Sequence, residues 1–187
     1  MERESQPSTA DERSIALAGL ALISRLRESF PRFEQEWSEH LAFWHGESAG
    51  PYNDINVFAH FIVDELFVHQ QYEEGRKAFL LLDQLFIVGD DATRDLIGIG
   101  FIEDLGNITS GRADGHTTII PYLPPTLHEV WKIIDNLWAG HHSLAEVLRW
   151  EAANSLGDEG QHSTLGSLWK HLPREDVSYL QADRHLA

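Results

Sequence analysis

The chain of 187 residues contains no cysteine, which removes disulfides, thiolate nucleophiles and cysteine-based zinc sites together. Positive charge is scarce as well. Lys and Arg number 14 against 30 Asp and Glu, for a formal net charge of -16. The cations are scattered singly or in near-pairs, such as Arg25 with Arg27 and Arg76 with Lys77. A surface for a phosphate backbone or anionic lipid needs several clustered cations, so no nucleic acid and no membrane is expected as a partner. The opening Met1 to Pro7 lacks the basic and apolar regions of a signal peptide. Asp64, Glu65, Asp83 and Asp104 break the richest apolar stretches below the length of a membrane span, and the expected location is cytoplasmic. Also absent are HExxH and the phosphate-binding GxxxxGK[ST]. Gly98-Ile-Gly100 lacks the third glycine and the preceding strand of a dinucleotide fingerprint, so neither a cofactor nor a metal is expected.

What is present is enough to fold. Hydrophobic residues make up 42% and aromatic residues 10%, more than a disordered acidic chain carries, and the length suits one core. The expected organisation is a flexible tail over 1–12, a single domain over 13–175 and a loose end over 176–187. Apolar residues recur at helical spacing in Ile15, Leu17, Leu20, Ala21, Ile23, Leu26 and Phe30, then in Phe33, Trp37, Leu41 and Trp44 beyond a joint at Pro31. Ile55, Phe58, Ala59, Ile62, Leu66 and His69 line a third helix, with Phe61 and Val68 adding apolar width and Asn53 or Asp54 as its cap. Ala78, Phe79, Leu81, Leu82, Leu85, Phe86 and Val88 line a fourth, and the two read as an antiparallel pair. Gly89-Asp-Asp-Ala-Thr supplies a stop and a new cap, and Leu96, Ile99, Ile102 and Leu105 follow it up to Gly106 or Asn107. Gly98 and Gly100 each weaken that helix by about 1 kcal/mol against alanine, which points to close helix approach or a kink; a short strand over Ile97 to Phe101 is the alternative.

Residues 106–120 read as a polar surface loop, with further helices from Thr126 through Trp138, after Gly140, and around Trp169. The expected fold is all-α: about seven helices packed as antiparallel pairs, with an irregular solenoid-like stack as one arrangement of them. An exact sequence repeat is absent.

Chemistry has few footholds. His60 and Asp64 lie four apart on a helix with Glu65 beside them, a spacing that can aim an imidazole and a carboxylate at one ion or form an ordinary surface pair. Glu103 and Asp104 follow the glycines and could meet Asp64 across helices, giving a small-molecule or metal-dependent enzyme built on His60, Asp64 and Glu103 as an alternative reading. His141 and His142 are adjacent and point apart, and His116 lies in the polar loop. Most tryptophans sit at apolar helix positions; Trp44 and Trp138, near helix ends, are the candidate aromatic anchors.

Charge gives the firmer clue. Residues 51–110 hold eleven acidic and three basic side chains, with doublets at Asp64-Glu65, Glu73-Glu74, Asp90-Asp91 and Glu103-Asp104. Such doublets at turns and outward faces would form a negative surface able to steer a basic protein, or would simply keep the domain solvated. Expected binding residues are Asp64, Glu65, Asp90, Asp91, Glu103 and Asp104, with Trp44 and Trp138.

His60, Asp64 and Glu65 on one helix and the run from Gly100 to Leu105 on another carry a resemblance to small, all-helical bacterial proteins of uncharacterised function, some similar to immunity proteins of toxin systems. It covers residues 50–110. The resemblance implies a non-enzymatic helical protein that covers a basic partner such as a toxin. A helical structural or regulatory module that self-associates is the competing expectation.

Overall fold

The computed structural model describes residues 9–113, 115–138 and 172. Among them are seven helices and no strand. Helix α1 is Thr9–Ser29, starting inside the tail expected over 1–12. A short turn, Pro31–Phe33, with proline at its first position, leads into α2, Glu34–Phe43. Helix α3 runs as Pro51–His60 and continues as the π-helix Phe61–Phe67. Helix α4 is Tyr72–Val88. Helix α5 begins as Asp91–Asp95, widens into the π-helix Leu96–Glu103 and returns to α-helix over Asp104–Ser110. Helices α6, Gly115–Ile119, and α7, Pro125–Trp138, complete the described part. The histidines at 141 and 142, the helix expected around Trp169 and the loose end over 176–187 lie outside the described residues.

Helix α5 sits at the centre. Leu96, Ile97, Phe101, Ile102 and Leu105 are buried, so it is apolar on several sides and packs against α1, α3, α4 and α7. The strand considered for Ile97 to Phe101 is therefore a helix, because a segment enclosed by other helices must satisfy its backbone internally. Gly100 explains the close approach: a Cβ there would lie 2.7 Å from Ile55 Cγ2 and 3.1 Å from a Tyr52 ring carbon. Around this contact runs a chain of rings, with Phe33 edge-on to Phe58 at 4.9 Å and Phe58 and Phe79 each 6.3 Å from Phe101.

Three expectations change. Helix α1 buries Ile23 and Leu26 as expected, with Phe30 just beyond its end, but Ala18 and Leu22 complete the inward face, while Leu17 and Leu20 are 62% and 65% exposed. Gly19 sets that face, since any Cβ would meet Pro51 at 2.7 Å. Helix α3 begins at Pro51 rather than after Asn53 or Asp54; Asp54 instead reaches back, accepting from His40 Nε2 at 2.8 Å, Ala49 N–H at 3.1 Å and the Ser48 hydroxyl, which ties down the connection before it. The loop expected over 106–120 is mostly helix. Its polar residues bond within their own helix, Thr109 Oγ1 to Leu105 O at 2.7 Å and Ser110 Oγ to Asn107 O at 2.8 Å, which leaves little outward sign of helix in the sequence.

Asp83 joins two helices from a fully buried position on α4. Its Oδ1 accepts from Leu127 N–H at 2.9 Å, and Thr126 bonds it too, so a carboxylate from one helix caps the N-terminus of α7. Burial pushes its pKa up to about 6, against the pull of the Leu127 and Thr126 hydrogen bonds.

Two outcomes follow from this packing. Replacing Gly100→Val forces the α3–α5 contact apart, and we expect a loss of about 1–3 kcal/mol in urea unfolding. For Asp83 the folded protein binds the proton more tightly than the unfolded chain, so its contribution is fully present below the unfolded value of 3.8 and is lost as pH rises through about 6. Asp83→Asn keeps an acceptor for Leu127. In melts at several pH values it should flatten the decline between pH of about 4 and about 6 by up to about 3 kcal/mol; a slope equal to that of the parent would contradict this account.

Candidate functional site

Two polar groupings flank the lower half of α5. The first lies against α3, where His60 Nδ1 and Asp64 Oδ2 are 2.9 Å apart and Arg112 Nη2 donates to Asp64 Oδ1. Asp64 stands in the π-helical continuation of α3, a widened backbone often found at functional sites. Burial disfavours its charge, but the hydrogen bonds from His60 and Arg112 outweigh this and its pKa is lowered. Asp104 faces the same side. Burial raises its pKa, while a hydrogen bond from Asn56 and the nearby His60 draw it down.

The second grouping is a cleft of about 200 Å³ on the other side of α5. Ile102, Ile134 and Trp131 supply apolar lining, and Glu103, Asn107 and Asp135 supply polar lining. His116 stands edge-on to Trp131 at 5.1 Å, with its Nε2 3.3 Å from Gly106 O, and steadies the ring. Burial raises the Glu103 pKa, and the adjacent Asp104 carboxylate adds to the rise.

The sequence candidates thus separate. His60 and Asp64 meet, joined by Asp104 in the neighbourhood of His60, whereas Glu103 lines the α5–α7 cleft. Among the described residues, no group of three or more His, Asp and Glu side chains is placed to hold a metal ion. Asp90 caps α5, accepting from Thr93 N–H at 2.8 Å and from the Thr93 hydroxyl at 2.7 Å. Asp91 follows it in the first turn and is half-buried, as is Glu65. Trp44 closes α2, 45% exposed and edge-on to Phe43 at 5.6 Å; Phe43 is 76% exposed. Trp138 ends α7, and its side chain lies outside the described residues.

A model of a domain of unknown function, DUF7674, matches residues 23–139. The chain belongs to the DUF7674 family. No curated protein and no solved structure matches it. The matched stretch runs from the second half of α1 to the end of α7, and both groupings lie within it. No helix among the described residues of this DUF7674 chain is long and apolar enough to cross a membrane.

Sequence reasoning missed Arg112, Asn56, Trp131 and Asp135 as partners in these groupings. Arg112 was hidden by the reading of 106–120 as a loop, although the excess of carboxylates made any lone arginine there a candidate counter-ion. Arg112→Gln should raise the Asp64 pKa in a carboxyl NMR titration. Because the pair is exposed and screened, the change should cost under about 1 kcal/mol in stability.

Proposed function

We propose that this chain is a non-enzymatic, cytoplasmic protein-binding domain whose acidic helical surface receives a basic partner, such as the toxin met by an immunity protein. The observation that carries this reading is the fate of its cations. Arg25, Arg27, Arg32, Arg112 and Lys132 each pair with a carboxylate of the same chain, and Arg94 is buried over the Phe86 ring. Of the other described cations, Arg13, Arg76 and Lys77 are exposed, fewer than the exposed carboxylates among the described residues, such as Glu39, Glu47, Glu73 and Asp135. An unbalanced negative field accelerates encounter with a positive partner and discriminates against acidic ones.

The separation of Glu103 from His60 and Asp64 favours binding over the enzyme reading, because general acid–base partners need hydrogen-bond reach of one reacting group. The exposed Phe43 and Trp44 pair, with Leu17 and Leu20, favours self-association as a second reading.

The test uses the immobilised full chain and a lysate of its native cell, washed at low and high salt, with a Glu65→Lys/Glu73→Lys variant beside it. A basic protein retained at low salt, released at high salt and held about tenfold more weakly by the variant is the expected result. Retention indifferent to salt and to charge reversal would overturn the reading. A dimer in sedimentation that Phe43→Ser and Trp44→Ser abolish would favour self-association.

A further inference from the structure

The cleft between α5 and α7 has a composition that suits one kind of side chain. It holds about 200 Å³, smaller than the ~300–1,000 Å³ typical of pockets for whole small-molecule ligands. One wall is Trp131, held in place by His116, and the polar lining carries Glu103 and Asp135. Glu103 is half-buried and makes no hydrogen bond or ion pair with any described residue. Elsewhere this chain meets carboxylates with an arginine: Arg27 grips both oxygens of the exposed Glu34 at 2.8 and 2.7 Å, and Arg112 bonds the half-buried Asp64. No cation lines this cleft among the described residues.

We propose that the cleft seats an arginine side chain of the partner protein, with its guanidinium between Glu103 and Asp135 and its flat face against Trp131. The proposal rests on the protein-binding reading above and names the contact that would give that binding its specificity. Three features select a guanidinium. Its planar fork bonds carboxylates at two points, its face stacks on an aromatic ring, and it sheds water more readily than an ammonium, which a partly enclosed site requires. Trp131 supplies the surface for that stacking. The apolar lining, Ile102 and Ile134, suits the methylene stem of the same side chain. A metal ion would need more ligands than the described residues gather.

The experiment titrates the isotope-labelled full chain with Nα-acetyl-arginine amide and follows the Trp131 indole N–H by NMR. Nα-acetyl-citrulline amide, of similar shape without the charge, is the comparator. A saturable shift with the arginine compound and none with citrulline is expected. Glu103→Gln should weaken the binding about fivefold or more, and Asp135→Asn should weaken it to a smaller degree. Both side chains have solvent access, and thermal melts check that the two variants remain folded. Glu65→Lys/Glu73→Lys should leave the titration unchanged, which separates the cleft from the general acidic field. No saturable shift, an equal shift with citrulline, or an unaltered affinity in Glu103→Gln would each overturn the assignment. If a basic protein is still captured in a salt-sensitive way while arginine leaves Trp131 unmoved, the cleft assignment falls and the protein-binding reading stands. If arginine seats but no basic protein is retained, the cleft takes a free cation and the partner assignment falls.

Discussion

The burial of α5 is the constraint on which the other helices depend. A helix enclosed by α1, α3, α4 and α7 must be apolar nearly all round, and its neighbours must come close enough to leave no void. Gly100 permits the approach of Tyr52 and Ile55, and the rings of Phe58, Phe79 and Phe101 fill the space beside it. The same enclosure exacts a cost at the polar end of the helix, where Arg94 and Asp95 are buried. Charged groups in such a position need partners, and Arg94 lies with its guanidinium 4.4 Å from the Phe86 ring centre. Helix α7 depends on this arrangement too, because it packs on α5 and takes its N-terminal cap from Asp83 on α4.

The course of α5 then decides what the acidic doublet at its end can do. Consecutive helical residues point about 100° apart, so Glu103 and Asp104 cannot face the same neighbour. Asp104 turns toward Asn56 and His60 on α3, while Glu103 turns into the cleft with Trp131 on α7. A doublet that reads as one patch in the sequence serves two sites in the fold.

Much of the architecture was legible from apolar spacing. Ile55, Phe58, Ala59, Ile62 and Leu66 were assigned inward and are buried, whereas His69 and Val68, read on the same helix, are exposed; Asp90 caps the helix that Gly89 announces. The failures have definite physical causes. Leu17 and Leu20 looked like core because side-chain hydrophobicity was weighed, whereas the packing face was chosen by Gly19, which lets Pro51 approach. Gly106, Asn107, Thr109 and Ser110 have poor helix propensity, yet they continue α5 because Thr109 is buried and the hydroxyls bond back to the helix. The π-helical bonding of Leu96–Glu103 shifts the phase of everything after it, so a 3.6-residue period could not say which side of α5 Glu103 would take. His60 with Asp64 was legible because both lie on one helix four residues apart, and their companion Arg112 was not, because it comes from the bend after α5, 48 residues on from Asp64.

The contrast between Asp64 and Glu103 is the argument for treating the excess charge as more than a solvated coat. Both are partly buried carboxylates beside π-helical backbone, and both pay for leaving water. Asp64 recovers that cost through His60 and Arg112, and its pKa falls. Glu103 has an acidic neighbour instead of a cation, and its pKa rises. A coat whose only task is solubility would place such a carboxylate in open water, where ionisation costs little. Holding it half-buried beside Trp131 gives up stability locally, and a positive group from outside would relieve that cost. The excess of acidic residues then has two parts. In the binding reading proposed above, exposed carboxylates such as Glu73 and Asp90 act over distance and set the rate of encounter, while Glu103 acts only on contact and sets which cation is retained.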